Sequence, residues 1–463
     1  MLVSPMTAAP ISLAHRRREN LLAIACALIR FAVCCYRAAH QSIIIDEATT
    51  YNRFVSGPWL KLFGRYDANN HILSSLMIKI TVTIAGLSEF KLRLPSLIAG
   101  LFLTIGVFWL LKQVESPLLR WTAFALFCLH PMLLDFSIAA RGYSLSLAFF
   151  VWALYFVVNK RYRLAGVLLG LSIAANLAIT FPALALLCVV ILVERKAEPV
   201  LNLAVPALLL ASLIAGHSLW KANRDQFYIG YPEFREAVTS LVFTSLHANP
   251  AHRGILGGRD VADNIGRFGL PLFGVLAALL SKGRRLIPLL TIAITLIGLI
   301  LARWLFGLNY PADRTCLYFV ILAVVAWAIA GDVLKNRFLL ALWLLPAILL
   351  LIQFSTQLQT RYFQFWTTEA DDKQIAHLIQ RASDGKPPDS MTVSTSWIHQ
   401  PALEFYRRYL RIAALKPVER IEPAPLTGFD FYVLSGADRD RVKATSLLVV
   451  FADPEADVIL AEP

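Results

Sequence analysis

Charge is what this 463-residue sequence is short of: Asp, Glu, Lys and Arg make up 16% of it, against 57% hydrophobic residues and a mean hydropathy of +0.60. Soluble domains carry about a quarter charged residues, so the shortage excludes an ordinary soluble chain and makes the bilayer its solvent. A single basic stripe is also missing. The net charge of +13 is spread over short clusters between apolar runs, which marks membrane topology and contacts with anionic ligands and excludes a nucleic-acid surface. All six cysteines (Cys26, Cys34, Cys35, Cys128, Cys188 and Cys316) lie inside apolar segments, so neither a disulfide framework nor a thiolate metal site is supported. No His, Cys and carboxylate set has metal-ligand spacing, and no metal or cofactor is expected. There is no internal repeat and no low-complexity tract.

What is present is a series of twelve apolar runs, at 20–39, 72–87, 94–112, 121–136, 143–158, 164–178, 180–194, 199–219, 268–281, 286–302, 315–331 and 338–353. A helix needs about 20 residues to cross the hydrocarbon. The first run follows Arg16, Arg17 and Arg18, lacks a small-residue cleavage site and is followed by Arg37, His40 and Asp46, so it reads as an uncleaved span. If all twelve runs crossed, the basic clusters at 159–163, 281–285 and 335–337 would fall opposite the basic N-terminus, against the positive-inside rule. Taking 72–87 out of the membrane moves all three, with Lys112, Arg120, Arg195 and Lys196, to the cytoplasmic side. That run carries His71, Ser75, Lys79 and Thr83 at every fourth position, a polar stripe on one helix face. It reads as an amphipathic helix on the outer surface, with a short polar-faced span as the other reading.

The expected architecture is therefore a polytopic α-helical membrane protein of about eleven spans over 1–353, N-terminus inside. Outer segments fall at 40–93, 220–267 and 303–314, with a corner at 137–142. Beyond, 354–463 holds 12 Lys plus Arg against 15 Asp plus Glu. Its pattern of helix 369–382, strand 391–396, helix 402–410 and strands 429–434, 446–451 and 457–461 predicts a small extracytoplasmic α/β domain. Trp397, His399 and Tyr406 there could stack on a sugar or fill a small core.

Unlike charges gather in the outer segments. Asp46-Glu47 follows Ile43-Ile44-Ile45; a carboxylate at such an apolar boundary is partly desolvated and can act as a base toward a hydroxyl, or the pair can simply end a helix. Tyr66-Asp67-Ala68-Asn69-Asn70-His71 comes next. Arg93-Leu94-Pro95-Ser96 opens a span, placing a fork of donors beside free backbone N–H groups, suited to an oxyanion, although a snorkelling arginine would look the same. The corner from His130-Pro131 to Arg141-Gly142-Tyr143 adds a second arginine at a span entry, and Asn309 to Arg314, before Tyr318, adds a third. Three arginines exceed what anchoring needs, and convergence on one anion is the sharper expectation.

The order of first span, Asp-Glu, Asn70-His71-Ile72-Leu73-Ser74-Ser75-Leu76, Phe90-Lys-Leu-Arg-Leu-Pro-Ser-Leu-Ile-Ala-Gly100, then His-Pro and Ala-Arg-Gly-Tyr, resembles the GT-C membrane glycosyltransferases. The branch it is similar to includes protein O-mannosyltransferases and the lipid A aminoarabinose transferase. The motifs cover about the first 160 residues; the rest resembles the family in architecture only. His71 is followed by Ile72-Leu73 where many relatives have His-Pro. The resemblance implies a polyprenyl-phosphate-linked sugar donor, a catalytic aspartate in the first outer loop and juxtamembrane amphipathic helices. It leads to these expectations: Asp46 as base with Glu47 orienting it or the acceptor; Arg93, Arg141 and Arg314 on the donor phosphate; Asp67, Asn70, His71, Tyr143 and Tyr318 on substrate. Transfer would go to a glycan, lipid or protein hydroxyl at the outer face of the cytoplasmic membrane. A transporter or flippase of lipid-linked sugars is the alternative; it would need paired charges at the bilayer midplane, where only Arg30 lies.

Overall fold

The computed structural model describes residues 13–463 apart from 65, 223–225, 227–229 and 250–251, so parts of the outer segment 220–267, and the side chain of Arg16, lie outside the described residues. Each apolar run forms a helix, because only a helix satisfies its own backbone in lipid. Among the described residues eight helices are long and apolar enough to cross a membrane: Arg17–His40, Glu89–Leu111, Leu177–Glu194, Ala197–Trp220, Arg259–Leu280, Gly283–Phe306, Asp313–Gly331 and Arg337–Gln357. Four shorter apolar helices are Ile72–Ala85, Pro117–Leu129, Tyr143–Val158 and Tyr162–Ala175. Several starts are written locally. Ser88 caps Glu89–Leu111 by accepting from Lys91 N, Ser116 with Pro117 opens the next helix, and Asn336 caps Arg337–Gln357.

Glu89–Leu111, Tyr143–Val158, Tyr162–Ala175 and Ala197–Ala211 pack side by side in that order. Gly170 lets the last pair close: a Cβ there would stand 2.7 Å from the carbonyl oxygen of Ala207, the small-residue contact that substitutes for a hydrophobic drive between helices in lipid. Arg30, deep in the first helix, donates to Thr104 Oγ1 at 2.9 Å, the Leu133 carbonyl at 2.9 Å and Ser137 Oγ at 2.8 Å. It thereby satisfies the broken backbone of the corner that follows Pro131.

The bundle has two distinct ends. At one, Arg120 meets Glu19, Arg284 meets Glu194 and the Val157 carbonyl, and Arg285 meets Asp332 and Glu115. At the other, Lys79 of Ile72–Ala85 donates to the Val55 and Gly57 carbonyls and lies 5.1 Å from the centre of the Trp59 ring. The polar stripe of this helix is therefore turned toward the first loop at Ser75 and Lys79, while Ile80 and Ile84 are exposed.

After Gln357 the chain turns back across this second end before entering a four-stranded mixed sheet. Its strands are β1 (Val393–Thr395), β2 (Phe431–Ser435), β3 (Leu448–Asp453) and β4 (Val458–Glu462), in the order β1-β2-β4-β3. Only β1 and β2 are parallel, and the helix Gln400–Tyr409 makes that crossover. The turning segment is tied down at its start. Arg37 and Asp135, both buried, pair at 2.6 Å; Arg37 also donates to the Tyr362 carbonyl and Asp135 accepts from Gln364 N.

Candidate active site

The first span ends at His40, and after four intervening residues the short helix Ile45–Thr50 begins, with Asp46 and Glu47 in its first turn. One helical step rotates a side chain by about 100°, so the two neighbours face different surroundings. Glu47 points inward. It is fully buried, accepts from Arg93 at 2.7 to 3.2 Å and from Ala140 N at 2.6 Å, and closes on its own helix start through Ile44 N at 3.3 Å. Arg93 is buried to the same degree and spends its remaining donors on the carbonyls of Ala38, Gln41 and Ser42. The two form a saturated internal ion pair that fixes the loop after the first span: Arg93 has no donor left for the expected phosphate, and of the two expected tasks for Glu47 its position suits orienting the Asp46 helix and not an acceptor.

Asp46 faces the other way, toward Arg141 and Arg314. Its Oδ2 lies 3.7 Å from Arg141 Nη2 and 3.5 Å from Arg314 Nη2. These are charge contacts rather than hydrogen bonds: Asp46 Oδ2, Arg141 Nε and Arg314 Nε are buried without a hydrogen-bond partner. Arg141 is loosely held, its donors reaching Asn69 Oδ1 at 3.1 Å, Thr50 Oγ1 at 3.3 Å and the Ala68 carbonyl at 3.4 Å. Arg314 lies over the Trp366 and Phe365 rings, 5.3 and 5.8 Å from their centres, beside the Tyr143 hydroxyl. Two guanidinium groups share one carboxylate, so the trio by itself carries a net positive charge, with Asp313 acting on Arg314 from the neighbouring position. Buried charge without a partner is costly, and oriented, unsaturated guanidinium donors are suited to a phosphate.

The remaining expected residues divide. Tyr143 stands at the site, with its ring edge-on to His71 at 5.6 Å. Burial, reinforced by Arg141 and then Arg314, holds the His71 imidazole well below its ordinary range, and its Nε2 has no partner. Asp67 accepts from Asn69 N at 2.8 Å and Asn70 donates to the Leu62 carbonyl at 2.9 Å; both shape the loop that presents Asn69 to Arg141. Asn70, His71 and Tyr66 line a small cavity with Asn176, whose Nδ2 is also unpartnered. Tyr318 is not brought to Asp46: it packs in the main core against Phe319.

In the C-terminal region Tyr406 and His399 are fully buried, His399 against Asp372 at 2.7 Å, which settles them as core. Trp397 is exposed and lies 5.2 Å from Arg420. Sequence reasoning did not single out Thr50, Asn69, Phe365, Trp366 or Glu369. Asn69 sits inside a motif already marked, but the last three come from a segment more than 300 positions downstream with no local signal. Among the described residues no three His, Cys, Asp or Glu side chains cluster as metal ligands.

This arrangement, a first-loop carboxylate facing arginines at later span entries, is built on a fold similar to that of membrane proteins of known structure. No protein-family model and no curated protein matches the chain. Among solved structures, it is similar to ArnT from Cupriavidus metallidurans bound to undecaprenyl phosphate, with a TM-score of 0.53 and 14% identity over 96% of this chain and 98% of that one. The apo state of the same protein gives 0.52 and 16% over the same shares. The arabinofuranosyltransferase AftD from Mycobacteria gives 0.50 and 13%, covering 98% of this chain but 40% of that one.

Proposed function

We propose that the chain is a membrane glycosyltransferase that takes a sugar from a polyprenyl-phosphate donor and places it on a hydroxyl acceptor at the outer face of the cytoplasmic membrane. The observation that carries this reading is the unsaturated trio of Asp46, Arg141 and Arg314 at the end of the bundle opposite the basic loops. The fold shared with ArnT bound to undecaprenyl phosphate supports a lipid phosphate as the anion.

In this reading Asp46 accepts the proton of the acceptor hydroxyl as its oxygen attacks the anomeric carbon from the face opposite the phosphate, which inverts the configuration. The bond from anomeric carbon to phosphate oxygen breaks, and Arg141 and Arg314 stabilise the charge that grows on the departing phosphate. Arg93 and Glu47 hold the Asp46 helix without touching substrate. Eleven spans result if Pro117–Leu129, Tyr143–Val158 and Tyr162–Ala175 cross with the eight long helices while Ile72–Ala85 does not. The N-terminus is then cytoplasmic and residues 354–463 form an extracytoplasmic domain.

The test is to feed the purified protein, in lipid discs, a polyprenyl-phosphate sugar labelled in the sugar, together with an envelope lipid and glycan extract. Transfer of label with release of polyprenyl monophosphate is expected. A protein in vesicles that moves intact donor across the bilayer without cleaving it would make the chain a flippase instead.

A further inference from the structure

Three successive backbone amides lead into Asp46, and a different side chain takes each. Ile43 N donates to the Tyr406 hydroxyl at 2.9 Å, Ile44 N to Glu47 Oε2 at 3.3 Å, and Ile45 N to Glu369 Oε2. Two of these acceptors belong to the C-terminal region. Tyr406, in Gln400–Tyr409, is itself fixed by donating to Glu89 Oε1 at 2.9 Å, and Glu89 pairs with Lys373 at 3.1 Å. The same helix packs on Ile45–Thr50: Phe405 meets Tyr51 edge-on at 5.4 Å, and Asn52 donates to the Pro401 carbonyl at 2.9 Å. With its continuation through the π turn Tyr51–Val55 the helix is still short for one that must hold itself in water or at an interface, so the direction of the Asp46 carboxylate depends on what grips its first turn.

We propose that Glu369 and Tyr406 are positioning residues for Asp46, which makes the C-terminal domain part of the catalytic unit and not an appended acceptor-binding module. The proposal rests on Asp46 being the base. Glu369 is fully buried, and its surroundings fit the task. Burial, with Asp372 and then Asp46 and Glu47 adding repulsion, pushes its carboxyl well above the ordinary range. A neutral acid keeps the acceptor that Ile45 N needs without placing a second negative charge beside Asp46. Gln should therefore replace Glu369 in function, and Ala should not.

The experiment measures kcat, donor KM and the Kd for polyprenyl monophosphate on the full chain in lipid discs. Glu369→Ala should lower kcat about 10- to 100-fold, the scale of a base displaced by a fraction of an ångström to 1 Å, with KM and Kd within about twofold. Glu369→Gln should restore kcat to within about threefold of wild type, and Tyr406→Phe should lower it as Glu369→Ala does. Wild-type kcat in both Glu369→Ala and Tyr406→Phe, or a kcat loss matched by an equal loss of monophosphate affinity, would overturn the inference. If Glu369→Ala does not fold, Tyr406→Phe decides alone, since it removes one hydroxyl. Asp46→Asn runs alongside: full activity there sinks the base assignment itself, whereas an inactive Asp46→Asn with active Glu369 and Tyr406 variants sinks only the positioning role.

Discussion

Arg93 and Glu47 meet at 2.7 Å with neither side chain exposed, and every other donor of the arginine is also committed. One residue before Glu47, Asp46 faces two arginines at 3.5 and 3.7 Å with hydrogen-bonding capacity left over. Two neighbouring carboxylates thus each face arginine, one in a saturated pair and one with capacity to spare, and the degree of saturation tells them apart.

The saturated pair should behave as structure. Arg93→Ala leaves Glu47 charged and unpaired in the interior, which costs about 3–5 kcal/mol, and Arg93→Lys cannot reproduce the fork that reaches three carbonyls and a carboxylate. Both should lower the thermal midpoint of the purified protein sharply and reduce its yield. A midpoint within about 2 °C of wild type for Arg93→Ala would show the pair to be dispensable.

His71 gives a pH dependence with a definite sign. Its folded-state imidazole is held neutral, well below its ordinary value near 6.5, by burial and by Arg141 and Arg314. Below pH 6.5 the unfolded chain gains a proton that the folded chain refuses, so the contribution is present above pH 6.5 and lost as pH falls toward the folded value. Thermal unfolding should show stability declining from about pH 6.5 to about pH 5, and His71→Gln, which has no proton to gain, should flatten that slope. Equal slopes in the two proteins would place His71 in contact with water.

The helices were legible because lipid leaves the backbone no other option: each of the twelve apolar runs is helical, and of the basic loop residues Arg120 pairs with Glu19 of the first helix while Arg284 and Arg285 pair with Glu194 and Asp332. Asp46, Arg141 and Arg314 were legible as charges at span entries. What was not legible was partner choice. Whether Arg93 faces Glu47 or a ligand depends on the rotation of the short helix that starts at Ile45, whose entry amides are bound by Tyr406 and Glu369 from hundreds of residues away. The stripe His71, Ser75, Lys79 and Thr83 shows the period of a helix but not which side is wet; in the structure Ser75 is buried and Lys79 turns to the loop at Val55 and Gly57.

Gly142, next to Arg141, is wedged against its neighbours: a Cβ there would run into the Ala175 carbonyl and stand 2.9 Å from His71 Cβ. Gly142→Ala must therefore move either the corner or the Asn70-His71 turn, at about 1–3 kcal/mol, and Arg141 moves with the corner. Transfer should fall about 100-fold, far more than stability would suggest, as measured by kcat beside the thermal midpoint. Wild-type turnover would mean that the placement of Arg141 does not matter.

The charge count of the trio yields opposite effects for its members. Asp46→Asn removes the carboxylate that Arg141 and Arg314 both face, so a polyprenyl monophosphate should bind several-fold tighter while transfer falls by about 10²- to 10⁴-fold, the loss expected for a general base. Arg314→Gln removes one of the two cations and should weaken monophosphate binding tenfold or more, about 1.4 kcal/mol or above, with transfer falling in parallel. Added salt should leave the difference between the two variants largely intact, because electrostatics at a partly buried site is screened only weakly. Equilibrium binding of a fluorescent polyprenyl monophosphate to the two variants reads this directly. A loss of affinity in Asp46→Asn would mean that the carboxylate holds the phosphate through a shared proton, and that it cannot be the group that takes one from the acceptor.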